Sequence, residues 1–132
     1  MISNRRHDLV LLLLRLAFGL SMAYAHGWPK LNRLLSGEEI KFMDFMGMGP
    51  EISLGLAVFA ELACALLLTV GLFTRWAALP LIFTMLVAIF VAHSGDPFSE
   101  IETALLYLIA FVSLALAGPG WYSVDAQIRK NA

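Results

Sequence analysis

At 132 residues the chain has the length of one domain. It is 60% hydrophobic and only 14% charged, against about 25% charged in an ordinary soluble domain, and that excess of apolar side chains excludes a soluble globule. A net charge of −1 supplies no basic field to hold nucleic acid, and the single cysteine, Cys64, excludes an internal disulfide or dithiol chemistry within the chain.

A helix needs roughly 20 apolar residues to cross the ~30 Å hydrocarbon core, and four stretches meet or approach that length. The first, about residues 9–28, is interrupted by Arg15 and His26. Arg5 and Arg6 before it and Ala23-Tyr24-Ala25 within it imitate a cleavable signal peptide; Arg15 breaks the apolar run, so the segment reads as a retained span. In the connection that follows, Ser36 and Glu39 match a capping box ahead of Ile40, Phe42, Met43, Phe45 and Met46, which predicts a short helix lying on the interface. Pro50 and Glu51 then suit a helix N-terminus, opening a second span over 51–73 that contains Glu61. Gly71, Thr74 and Arg75 mark a tight turn into a third span over 75–93. Ser94, Gly95, Asp96 and Pro97 close the turn to a fourth over 101–118. The expected fold is all-α: one integral membrane four-helix bundle over 1–132, with antiparallel neighbours and an interfacial helix between helices 1 and 2. Small residues four apart (Gly19, Ala23 and Gly27; Ala60 and Cys64; Ala88 and Ala92) predict close helix contacts.

An even number of crossings puts both termini on one side. Arg5, Arg6, Arg75, Arg129 and Lys130 fall on that side, and Lys30, Arg33 and Lys41 on the other. Basic residues prefer the cytoplasmic side, so the termini are expected there. Trp28 on the outer side and Trp76, Trp121 and Tyr122 on the inner side occupy interfacial belt positions.

A charge at membrane depth costs at least ~2.5 kcal/mol on insertion scales, so ionisable residues inside the spans are the candidate site. Arg15 precedes Trp28 by 13 residues, about 20 Å at the helical rise; Glu61 follows Glu51 by 10, about 15 Å. At those depths the two can form a bidentate pair, serving either to pin helices 1 and 2 together or to bind a ligand. His26, Lys30, His93 and Glu102 gather near the outer end, where imidazole beside carboxylate suits proton transfer; Lys30 can equally snorkel to the headgroups, and Glu102 can simply favour a helix N-terminus. The histidines lack the spacing of a haem or zinc site, and no metal is expected. Met22, Met43, Met46, Met48 and Met85 suit either an adaptable apolar pocket or ordinary packing.

Taken in order, these features resemble the DoxX family: Arg15 with Gly19, His26-Gly27 and Lys30, Glu61, Gly71 with Thr74-Arg75, His93, Glu102-Thr103-Ala104-Leu105, and the closing Gly118-Pro119-Gly120 with Ser123 and Asp125. The resemblance runs from about Leu9 to Asp125. It implies a four-helix protein of the bacterial inner membrane and quinone-linked redox work, often beside partner proteins of oxidative or thiol stress. Two readings follow. In one, the chain is a redox-linked subunit in which Arg15, Glu61 and Lys30 hold a quinone while His26, His93 and Glu102 relay protons. In the other it is a non-catalytic membrane adaptor recruiting redox partners. With no cysteine pair, Gly-rich nucleotide loop or strong metal motif, electron transfer needs a bound quinone or a cofactor-bearing partner. Apolar helix faces also leave room for a second copy of the chain.

Overall fold

The computed structural model describes residues 4–132, and among these every regular element is helical. Helices α1 (Arg5–Leu35), α2 (Pro50–Val70), α3 (Thr74–Ala92) and α4 (Phe98–Ala117) are each long and apolar enough to cross a membrane, and a short α5 (Val124–Asn131) follows. The chain is therefore an integral membrane protein. Its central helix is α2: 56% of its apolar window is buried, against 22–28% in the other three.

Bilayer tails are as apolar as leucine, so helices associate here by close packing rather than by hydrophobic exclusion. Small residues make this possible between α1 and α2. A methyl group on Gly27 would stand 2.5 Å from the carbonyl oxygen of Glu61, and one on Gly19 would collide with the Thr69 hydroxyl. Leu68, Ala65 and Cys64 of α2 then meet Met22, Leu81, Phe111 and other side chains of the three neighbours in one buried core.

Two features differ from the sequence expectation. First, α1 does not stop at Trp28 but continues through Pro29 to Leu35. Proline lacks the N–H that an α-helical turn uses, but the π-helical turn over Ala23–Gly27 already loosens the hydrogen-bond ladder just before it and lets the proline continue the helix. Second, the capping box at Ser36 does not start a helix. Ser36 instead ends α1, its hydroxyl donating to the Arg33 carbonyl and accepting from the Glu38 amide. The connection to α2 is irregular apart from a 3₁₀ turn over Phe45–Gly47.

The α2–α3 turn is built as the glycine position predicts. Gly71 is left-handed, with φ 76°, and the amides of Gly71 and Leu72 both return to the Leu67 carbonyl, so the last carbonyls of α2 are satisfied within the turn. The first amides of α3 find an acceptor far along the chain: Phe73 and Thr74 donate to the Asp125 carboxylate at 2.8 and 3.0 Å.

Candidate functional site

Glu61 lies in a π-helical turn of α2, Phe59–Cys64, opposite the π-helical turn of α1 that carries His26 and Gly27. Such turns turn side chains away from their α-helical directions and recur at functional positions. Because Gly27 brings the two backbones together, Lys30, less than one turn further along α1, reaches Glu61: its Nζ donates to Oε1 at 2.7 Å. The Glu61 side chain is 4% exposed and that of Lys30 21%. A carboxylate this deeply buried needs its cation, since an unpaired charge in the interior costs several kcal/mol.

The pair borders a cavity of about 860 Å³ between α2, α3 and the α1–α2 connection. Its walls are mainly apolar and aromatic, including Phe42, Phe45, Phe59, Phe83 and Met85, with Lys30, Glu61 and His93 among its polar lining. A largely apolar chamber with a few convergent polar groups is the general form of a small-molecule site. His93, just after α3, has Nδ1 3.0 Å from Asp96 Oδ2 and a side chain 40% exposed.

The expected Arg15–Glu61 pair is not formed; Lys30 takes the place of Arg15. Trp28 and Glu51 do not lie at one level, because α1 runs seven residues beyond Trp28. The packing sets Gly27 level with Glu61, which leaves Arg15 twelve residues away along α1, about 18 Å at the helical rise. Of the other candidates, His26 packs edge-on against Tyr107 of α4 at 5.6 Å, within electrostatic reach of both Lys30 and Glu61. Glu102 is exposed on α4 and does not line the cavity. Met43 and Met85 line it, Met22 is in the core, and Met46 is 82% exposed. Among the described residues no group of three or more His, Cys, Asp or Glu side chains could hold a metal ion.

Arg15 has a different setting, at the end of the bundle that carries both termini. It is 1% exposed, donates through Nη1 to the Thr69 carbonyl at 3.0 Å and through Nη2 to the Tyr122 carbonyl. Gly71 leaves the space that the guanidinium fills, Nη1 standing 2.6 Å from where a side chain would begin. The segment after α4 is thereby drawn across that end of the bundle. Asp8 accepts from the Trp121 amide at 3.0 Å, the Asp125 amide donates to the Gly71 carbonyl at 2.9 Å, and Ser123 caps α5 through the Ala126 amide. No motif in the sequence marks Asp8, and Ser123 and Asp125 stand out there only through the family resemblance. A serine two residues before an aspartate, ahead of a short polar helix, was the available cap signal.

The DoxX family model matches residues 10–94. The chain is also similar to the inner membrane protein YqjF of Escherichia coli (strain K12), with 32% identity over 112 residues covering 80% of this chain and 82% of that protein. No solved structure matches.

Proposed function

The chain belongs to the DoxX family, and from that premise we propose that it is a redox-linked inner-membrane subunit holding a quinone, or a neutral ring ligand of similar build, beside Lys30 and Glu61. The observation that carries this reading is the position of a buried ion pair on the wall of an aromatic-lined cavity at membrane depth. A quinone offers an apolar ring to the phenylalanines and carbonyl oxygens that accept hydrogen bonds. Lys30 carries three donors, of which Glu61 takes one, so its ammonium can donate to a ligand carbonyl while Glu61 fixes its direction. Glu61 is in this account a positioning residue for Lys30.

His93, hydrogen-bonded to Asp96 and partly exposed, is suited to pass protons between the cavity and the outer face. His26 lies beside the pair and tunes its field; Glu102 belongs to the outer surface; Arg15 serves the site only by holding the fold. Electrons come from a partner protein, since the chain has neither a cysteine pair nor a nucleotide-binding loop. The name of the Escherichia coli relative supports the inner membrane as the location, and the basic residues near both termini support a cytoplasmic placement for them.

The test is native mass spectrometry of protein extracted gently with its lipids. A bound quinone that is lost from a Lys30→Met/Glu61→Leu variant supports the reading. Protein that retains only phospholipid, and takes up no added ubiquinone-2, argues against it.

A further inference from the structure

The cavity's walls indicate how a ligand reaches it. Leu56 and Phe59 of α2 and Phe83 of α3 line it, yet each is more than half exposed. All three lie within membrane-spanning helices, so the surface they expose faces lipid rather than water. The ion pair has the opposite character, Glu61 being shut from solvent. The chamber thus has a polar wall at Lys30 and Glu61 and an apolar side open to the bilayer between α2 and α3.

One side chain from outside the bundle stands at that opening. Phe45, in the α1–α2 connection, packs edge-on against Phe83 with ring centroids 5.9 Å apart. It is held there by few bonds: its amide donates to the Ser53 hydroxyl at 2.9 Å, its carbonyl accepts from the Met48 amide at 3.1 Å, and the neighbouring Asp44 accepts from the Gly49 amide at 2.8 Å. Further back, Arg33 lies over the Phe42 ring at 5.8 Å. A single 3₁₀ turn in an otherwise irregular connection, fastened at a few points, opens at far lower cost than a helix in the core.

We infer that the cavity is loaded sideways from the bilayer, through a portal between Phe59 and Phe83, and that Phe45 is its gate. The inference rests on the proposed ligand site and narrows the ligand class to membrane-dissolved molecules: the polar ring lies against Lys30 and an apolar chain trails through the portal into lipid. Phe45 swings off Phe83 to admit the ring and closes again over the chain. Entry from the aqueous outer mouth, past His93, is the competing route.

The experiment uses the full chain in lipid nanodiscs, with ubiquinone-2 as the probe, in a Cys64→Ala background. Phe45→Cys and Phe83→Cys together are joined by a short bis-methanethiosulfonate tether that reductant removes. Compared with the same double variant freed by reductant, the tethered protein takes up and releases the probe at least about tenfold more slowly while its affinity stays within about threefold, as expected when a lid is locked without further change to the cavity walls. Phe45→Ala alone speeds both rates several-fold. Unchanged exchange in the tethered protein overturns the gate and leaves the ligand site standing. If the double variant is misfolded, unchanged exchange in Phe45→Ala overturns it instead. Wild-type protein that binds no ubiquinone-2 removes both the gate and the site.

Discussion

Lys30 Nζ lies 2.7 Å from Glu61 Oε1 and joins α1 to α2 at the wall of the cavity. The carboxylate is the more deeply buried partner, so the two substitutions are not equivalent in their consequences. Lys30→Met leaves a buried carboxylate alone and is expected to destabilise the protein by about 3 kcal/mol, whereas Lys30→Met/Glu61→Leu recovers most of that loss because an apolar pair needs no desolvation. Thermal unfolding in detergent checks both. Equal destabilisation by the single and double changes would show that the pair's charges do not set the cost.

Gly27 is where the backbones of α1 and α2 approach most closely beside that pair. A methyl group there would stand 2.5 Å from the Glu61 carbonyl oxygen and 2.8 Å from the Leu62 Cα, and backbone cannot turn aside as a side chain can. Gly27→Ala is expected to cost about 1–3 kcal/mol or more through overpacking and to weaken ubiquinone-2 binding by spreading Lys30 from Glu61. Gly55 of α2, with nothing within 4 Å of an added methyl, is the control: Gly55→Ala should leave stability the same or slightly higher, since alanine is the better helix former.

Asp125 holds the first amides of α3 from the other end of the chain. Asp125→Ala is expected to lower stability by about 1–2 kcal/mol, the range for losing a side-chain helix cap, with Asp125→Asn losing less because one carbonyl acceptor remains. The midpoint of thermal unfolding measures the difference.

Much of this architecture was legible in the sequence, because four crossings follow from apolar length and from the Gly, Ser and Pro turns between them. The partner of Glu61 was not. Pairing across antiparallel helices depends on their register, and the register turned on whether α1 stopped at Trp28. The apolar run ends at Trp28, and it is the adjoining π-helical turn that lets the helix continue through Pro29. The α1–α2 connection departs from expectation for a related reason: Ser36 can cap a helix that begins or one that ends, and its hydroxyl serves the latter. The Arg15 clasp was out of reach because backbone carbonyls, such as those of Thr69 and Tyr122, carry no side-chain signature in a sequence.

Arg15 separates the structural centre from the ligand site. Arg15→Ala frees the Tyr122 and Thr69 carbonyls and releases the segment after α4, so limited trypsin digestion should cut at Arg129 and Lys130 several times faster. Affinity for ubiquinone-2 should stay within about threefold of wild type, since the changed side chain lies about 18 Å along α1 from the level of Glu61. Lost affinity with the tail still protected would return Arg15 to the ligand site.

The central claim is that the space beside Lys30 and Glu61 holds a ring ligand, and filling that space tests it most directly. Ala57 lines the cavity from α2 without taking part in the ion pair, so Ala57→Phe occupies the volume and leaves the charges in place. Ubiquinone-2 titrated into wild-type and Ala57→Phe protein in nanodiscs should bind the wild type at least about tenfold more tightly, the effect of about 1.4 kcal/mol, with both proteins unfolding at similar temperatures. Equal binding to the two would place the ligand elsewhere and contradict the account.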